Sequence, residues 1–239
     1  PLMSAESAHK TLPVLTGGAY LHFAAGEDSS RAKEMMAMFG SSSPSYLVLE
    51  SLDRFNEVMA GDSDTITRAC DAVMELKERL ETAGIPLVKS DYLRIVIDAR
   101  ACGMSGYEFA ANLRSSGVEC EMSDANRVVL MFSSANKIED FERAEIAILF
   151  VRRKSPIAPE KYPVIKPAVH MPVHEAMFLP QKIVPLKKAS GEVCAGLNAP
   201  CPPCVPLVMP GEIIDHNVMA ALKQYGVKRV AILDRTKTV

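Results

Sequence analysis

The sequence contains no tryptophan and few aromatic residues, and no apolar run reaches the roughly 18–20 residues that a membrane-spanning helix needs. It shows no charged-then-apolar leader, which argues against secretion. The formal net charge is only −2, so charge gives no reason to expect binding to nucleic acid or to a charged membrane surface. These absences predict a cytoplasmic protein with neither a membrane nor a nucleic-acid partner.

The composition is that of an ordinary globular protein, since 48% of the 239 residues are hydrophobic and 23% are charged. The 6 cysteines, in a chain without a secretory leader, are expected to be reduced thiols. The sequence starts at Pro1 and reaches Lys10 before any helix or strand could be complete. We therefore expect it to be the second portion of a longer protein, produced by processing or by a split gene.

Apolar spacing and capping residues predict the elements of the first part of the chain. An apolar run with a glycine pair predicts a buried, bent strand over 12–23. Pro44 is expected in the first turn of a helix, and Gly84 ends the clearest amphipathic helix of the sequence. Helices are predicted over 29–40 and 63–84, and between them the stretch 41–61 opens with a hydroxyl-rich turn that leads into a helix.

The pattern then changes to short β-branched runs. Strands are predicted over 93–99 and 127–133 on either side of a helix over 105–117, and a helix over 138–154 closes a small α/β unit. Residues 155–172 hold 5 of the 16 prolines and indicate a linker. The last part is predicted to contain a helix that begins at 173, a strand over 182–186, a helix over 216–226 and a strand over 228–234.

The first candidate for chemistry is the Ser-x-His-Lys pattern of Ser7, His9 and Lys10. A lysine amine can form a Schiff base with a carbonyl cofactor, and a hydroxyl and an imidazole can bind the phosphate of such a cofactor. The alternative is a solvated loop lysine, which is the commoner situation for this residue type. The pattern alone does not decide between the two.

Two other clusters invite a functional interpretation. The hydroxyl side chains within 41–45 precede a predicted helix and can bind an anion, although helix capping needs only one of them. Cys194, Cys201 and Cys204 include a Cys-x-x-Cys pair that, with His216, can serve redox chemistry or hold a metal. A structural zinc site normally brings two ligand pairs, so buried thiols are the simpler interpretation and no metal site is predicted.

Four segments form an ordered series along the chain. They are SAHKTLPVLTGGAYLH (7–22), SSSPSYLVLESLD (41–53), MSGYEFAANLRSSGVECEMSD (104–124) and, within 174–214, HEAMF followed by VPLKKASGEVCAGLNAPCPPCVPLVMPGEII. Together they resemble the bacterial family of pyridoxal-phosphate-dependent ornithine, lysine and arginine decarboxylases. Four ordered matches are far more specific than any one of them.

The resemblance implies an α/β fold of the aspartate-aminotransferase type (fold type I), of which this chain would be the C-terminal part. The end of the cofactor-binding large domain and a connecting helix would occupy 1–88. A small α/β domain would follow at 89–154. After the proline-rich linker at 155–172, an added C-terminal α+β domain would occupy 173–239.

The same resemblance implies a site and a reaction. The cofactor is pyridoxal 5'-phosphate, and Lys10 falls on the residue that binds it as a Schiff base; Lys10 and His9 are the implied catalytic residues. Ser7 and His9 fall near the cofactor phosphate. Ser42 and Ser43 fall in a loop that can reach the phosphate in a partner subunit, which implies a homodimer or a higher oligomer. The implied reaction removes carbon dioxide from arginine, lysine or ornithine and leaves the amine.

The family also has features that this sequence lacks. Its aspartate against the pyridine nitrogen and its ring-stacking residue precede the lysine segment, so the chain is predicted to be inactive alone and to work with an upstream N-terminal portion. Cys201 replaces an aromatic residue, Cys204 a glycine and Glu192 an arginine. Two other functions stay open: a non-catalytic relative that acts by binding or dimerisation, and a thiol-redox or metal module built on Cys201 and Cys204.

Overall fold

The computed structural model describes residues 2–27, 29–162, 164–197 and 205–236, and the chain divides into two compact units, Pro1–Ala158 and Pro159–Val239. The helices are α1 (Ser30–Phe39), α2 (Tyr46–Gly61), α3 (Thr65–Thr82), α4 (Gly106–Ser115), α5 (Ile138–Phe150), α6 (Val173–Ala176) and α7 (His216–Gln224). The strands are β1 (Met3–Glu6), β2 (Tyr20–Phe23), β3 (Leu87–Val88), β4 (Arg94–Asp98), β5 (Met122–Ser123), β6 (Arg127–Met131), β7 (Gln181–Pro185) and β8 (Arg229–Leu233). Among the described helices, none has the length and hydrophobicity to cross a membrane.

The first unit begins with an antiparallel hairpin. Strands β1 and β2 pair in a register that sets Met3 opposite Phe23. The predicted strand over 12–23 is wrong in its first two thirds, because only its last four residues are extended and these are not buried. The physical reason is local: Pro13 has no N–H to give to a ladder, and Gly17 turns the chain with a φ of +99°.

Helices α1 and α2 were both predicted, but their packing differs from that of a core helix. All ten residues of α1 are described and none is buried, while α2 buries only Phe55. Pro44 precedes the N-cap residue Ser45 and so lies before α2 rather than in its first turn, which corrects that prediction. These two helices follow the hairpin without enclosing a core of their own.

Helix α3 confirms the clearest prediction and supplies one wall of the main core. Its buried stripe of Ala69, Val73, Leu76 and Leu80 recurs at helical spacing. The helix ends as expected near Gly84, whose φ of +76° lets the chain reverse. Because the stripe packs in one cluster with the strands that follow, α3 shares a core with 85–151.

That core is completed by a four-stranded antiparallel sheet of order β3-β4-β6-β5, with α4 and α5. The central pair is β4 and β6, in which Ile95 and Ile97 lie opposite Leu130 and Val128. All four of these side chains are buried. The strands and helices predicted here are confirmed, except that α5 ends at Phe150 and not at 154.

The early end of α5 follows from what the next residues contact. Val151 leaves the helix in an extended conformation and is buried in the core. Two residues later, the guanidinium of Arg153 donates to the main-chain carbonyls of Ala83 and Gly84. These carbonyls lie at the C-terminal end of α3, where a cation is favourable.

The second unit is a small α+β arrangement. Strands β7 and β8 pair antiparallel, with Gln181 opposite Leu233. Helix α7, capped by Asp215 whose side chain accepts from the N–H of Val218, packs Val218 and Leu222 into the core of this unit. Residues 168–171 pair with 211–213, so the end of the predicted linker belongs to this unit.

Candidate active site

Lys10 ends a short 3-10 helix, Ala8–Lys10, that follows β1 directly. Ala8 is buried and anchors this turn, whereas the Lys10 side chain is half exposed. Ser7 sits at the N-cap position in an extended conformation, and its side chain makes no capping hydrogen bond. The turn therefore presents one amine and one uncommitted hydroxyl side by side.

Both side chains line a cavity of about 350 Å³. Its walls are formed by Glu6, Ser7, Ala8, Lys10, Thr11, Leu12, Tyr20 and Arg94. The set combines an amine, three hydroxyls and a guanidinium, and cations and hydroxyls are the side chains that bind phosphate. These residues fit a phosphate-bearing aldehyde, because side chains that can donate to a phosphate lie next to a primary amine that can attack a carbonyl.

Both the side-chain amine and the main-chain carbonyl of Lys10 make hydrogen bonds to the region that forms the four-stranded sheet. Its Nζ donates to Oε1 of Glu121 at 2.7 Å, a contact between residues 111 positions apart. Its main-chain carbonyl accepts from Nη2 of Arg94 at 3.3 Å. Arg94 lies at the start of β4, and its guanidinium is also paired with Asp91. The amine and the backbone of Lys10 are thus fixed relative to a rigid element.

Tyr20 joins the cavity to α2. Its hydroxyl lies 3.2 Å from the carbonyl oxygen of Leu52 and 3.1 Å from Oδ1 of Asn56. Partial burial, with a smaller contribution from the charge of Asp53, raises the pKa of Tyr20 above its usual value. The phenol is therefore neutral at physiological pH and acts as a donor to α2.

Of the other predicted site residues, His9 lies next to the cavity but does not line it. Its Nδ1 donates to the carbonyl of Gly18 at 2.9 Å, which fixes the ring against the hairpin turn. Ser42 and Ser43 lie in the exposed turn before α2, where the N–H of Ser43 donates to Oγ of Ser41. The structure brings Ser7 and Lys10 together at one cavity and leaves the two serines away from it.

Sequence reasoning missed Glu121 and Arg94. Glu121 lies inside the quoted segment 104–124, so its place in that segment was the available signal, but nothing in the segment assigns it to Lys10. Asp124, in the same segment, has a structural role instead, because its Oδ1 accepts hydrogen bonds from the N–H groups of Asn126 and Arg127.

The cysteine cluster is only partly described. Cys201 and Cys204 lie outside the described residues. Cys194 is buried and its thiol donates to the carbonyl of Gly196, and Cys102 is buried in the core of the first unit, where burial raises its thiol pKa. Within the part of the chain that the structure describes, no group of three or more potential ligands could hold a metal ion.

Comparison with solved structures defines the class of fold. The chain is similar to the constitutive lysine decarboxylase of E. coli, with a TM-score of 0.73 and 14% identity, covering 97% of this chain and 49% of that one. It is also similar to lysine decarboxylase A from Pseudomonas aeruginosa, with a TM-score of 0.72 and 16% identity, covering 94% of this chain and 44% of that one. The chain thus has the α/β fold seen in these enzymes.

Sequence comparison gives the family. The family model for the major domain of Orn/Lys/Arg decarboxylases matches residues 1–100, and the model for their C-terminal domain matches residues 161–226. The chain belongs to the Orn/Lys/Arg decarboxylase family.

Curated relatives agree with this assignment. An arginine decarboxylase from Bacillus subtilis (strain 168) is 26% identical over 92% of this chain and 50% of its own length. An arginine decarboxylase from Halalkalibacterium halodurans is 24% identical over 93% of this chain and 50% of its own length. The chain therefore spans about half the length of the curated relatives it matches.

Proposed function

We propose that this chain forms part of a pyridoxal-phosphate-dependent decarboxylase of a basic amino acid, with Lys10 as the residue that binds the cofactor. The observation that carries the proposal is the position of the Lys10 amine on a cavity with Ser7 and Arg94, 2.7 Å from the carboxylate of Glu121. The amine can bind the aldehyde, and the hydroxyl and guanidinium can bind the phosphate. Pyridoxal phosphate, when bound, supplies an electron sink for the pair left as carbon dioxide departs.

Glu121 has a positioning role in this proposal. Nζ of Lys10 must be neutral to attack a carbonyl carbon, and in the ion pair it is protonated. Oε1 of Glu121 accepts a hydrogen bond from Nζ and so holds the amine at the cavity, but the carboxylate favours the charged amine, so the pair must separate and the proton leave to solvent before attack. Arg94 acts as a positioning residue, because its bond to the Lys10 carbonyl holds the backbone while the side chain moves.

The substrate and the assembly are further parts of the proposal. Arginine is the first substrate to test, because several curated relatives carry the name arginine decarboxylase; lysine and ornithine are the other two. We expect the isolated chain to be inactive and to work with the remaining part of the enzyme. Ser42 and Ser43, which lie away from the cavity of their own chain, would contact the cofactor phosphate of a partner subunit in a dimer.

The test is reductive trapping combined with activity. The chain is co-expressed with the part of the Bacillus subtilis arginine decarboxylase that it does not match, loaded with pyridoxal phosphate, reduced with borohydride and mapped by mass spectrometry. We expect the adduct on Lys10 and release of carbon dioxide from arginine, lysine or ornithine. Lys10→Arg should lose both signals, while Lys33→Arg, at an exposed lysine of comparable charge, should keep them. Activity retained in Lys10→Arg would refute the assignment.

A further inference from the structure

An open apolar groove lies between the β1–β2 hairpin and α1. Its volume is about 520 Å³, and its apolar lining consists of Ala32 and six larger side chains, Leu2, Met3, Leu21, Phe23, Met35 and Met36. We call this surface the hairpin groove. Glu27 and Arg31 also line it and add one charge of each sign. Next to it, Phe39 at the end of α1 is 88% exposed.

The side chains that line the hairpin groove are mostly apolar, as in a protein core, but they are not buried. Helix α1 turns apolar side chains toward the hairpin, yet none of its ten described residues is buried. An amphipathic helix normally buries such a stripe, and contiguous exposed apolar surface of this kind marks an interaction site. Among the described residues, β1 and β2 pair only with each other, and a two-stranded sheet alone is marginally stable in water.

We propose that the hairpin groove is the surface on which the remaining part of the major domain packs. This inference rests on the proposed function, because it takes the chain to be part of a larger decarboxylase. The similarity covers 97% of this chain but only 49% of the E. coli structure, so about half of that fold has no counterpart here. The occupant is expected to present an apolar layer with charges at its margin.

A second copy of this chain is the competing occupant. It would cover the apolar side chains, but it would bring only residue types and elements that this chain already has. The family model for the major domain matches residues 1–100, which include the whole groove, and this chain covers only 50% of the Bacillus subtilis relative.

The experiment measures binding to a defined probe, the part of the Bacillus subtilis arginine decarboxylase that this chain does not match. Met35→Gln with Met36→Gln changes the groove at side chains that are 43% and 58% exposed. Leu149→Gln with Ile146→Gln is the matched control on α5, at side chains 45% and 58% exposed. Because all four side chains are partly exposed, both double variants should fold, and circular dichroism checks this.

We expect a one-to-one complex by sedimentation, at least tenfold weaker binding for the groove variant and unchanged binding for the control. Equal binding of both variants, or no complex with the unsubstituted chain, would overturn the proposal. So would a groove variant that loses self-association while it still binds the probe, because the occupant would then be a second copy. Lys10→Ala should bind normally, so this result does not depend on whether the chemistry assigned to Lys10 is correct.

Discussion

The first unit contains two regions that differ in how they are stabilised. Residues 65–151 form a continuous core of one long helix, a four-stranded sheet and two further helices. Of the described residues in 2–61, only Ala8, Gly18 and Phe55 are buried. We call 65–151 the closed region and 2–61 the open region. The candidate catalytic lysine, Lys10, lies in the open region, yet its amine and its main-chain carbonyl both contact residues of the closed region. The site is therefore positioned by polar contacts to the rigid closed region and not by the packing of the open region in which it lies.

The largest effect that separates the two regions is expected from a matched pair of phenylalanine truncations. Phe109 has no exposed surface, whereas Phe39 is almost fully exposed. Phe109→Ala should lower the free energy of unfolding by about 3–5 kcal/mol, because it opens a cavity in the core. Phe39→Ala should change it by less than about 0.5 kcal/mol. Urea denaturation of the chain measures both, and equal losses would contradict the division into two regions.

A glycine pair tests the same division at the backbone. A Cβ added to Gly106 would overlap the main-chain oxygens of Asp124 and Arg127, whereas one added to Gly61, at the end of α2, meets nothing within 4 Å. Gly106→Ala should therefore cost about 1–3 kcal/mol of unfolding free energy. Gly61→Ala should gain about 0.4–1 kcal/mol by restricting the unfolded chain. The same denaturation measurement applies, and a harmless Gly106→Ala would show that α4 can move away from this turn.

Glu121→Gln tests whether the two regions communicate through Lys10. The ion pair is partly exposed, so the free energy of unfolding should change by less than about 1 kcal/mol. Loss of the negative charge favours the neutral amine, so cofactor attachment at Lys10 should become faster by up to about fivefold, which corresponds to about 1 kcal/mol in the barrier. Borohydride trapping over time in the co-expressed assembly measures this rate. Glu119→Gln, two residues away and paired with Arg114, is the control and should leave the rate unchanged.

The smallest effect concerns the pH dependence of the closed region. Hydrogen bonds from the N–H of Lys137 and the amide of Asn136 hold the pKa of Asp140 below its usual value. The stability from this carboxylate is therefore present above the unfolded-state pKa of about 3.9 and is lost as the pH falls through the lower folded-state pKa. Asp140→Asn keeps an acceptor but does not titrate. The difference in Tm between pH 7 and pH 3 should be smaller for this variant; an identical difference would contradict the assignment.

The elements of the closed region could be predicted from the sequence because local and long-range signals agree there. The stripe on α3, the helix predicted over 105–117 and the β-branched runs of β4 and β6 all match the structure. The run over 12–19 was read as strand because its apolar residues resemble a buried strand. Its proline and glycine prevent that, and the hairpin uses only the four residues that follow it, Tyr20–Phe23.

The site could be predicted only in part, for a physical reason. Ser7 and Lys10 are neighbours in sequence, so one short pattern contains both. The contact of Lys10 with Glu121 spans 111 positions and exists only after the sheet has formed. The interaction of Arg94 with a main-chain carbonyl leaves no trace in any side-chain pattern. The roles assigned to Lys10, His9, Ser7, Ser42 and Ser43 stay predictions that the experiments above address.

The uncovered stripe of α1 has a consequence for the chain when it is produced alone. Apolar surface that stays uncovered after folding is recognised by chaperones and promotes aggregation at micromolar concentrations. Cellular proteases also remove chains that expose such surface. We therefore expect the lifetime of this polypeptide in an expressing cell to depend on the supply of whatever covers that helix, so that its yield follows the yield of its complement.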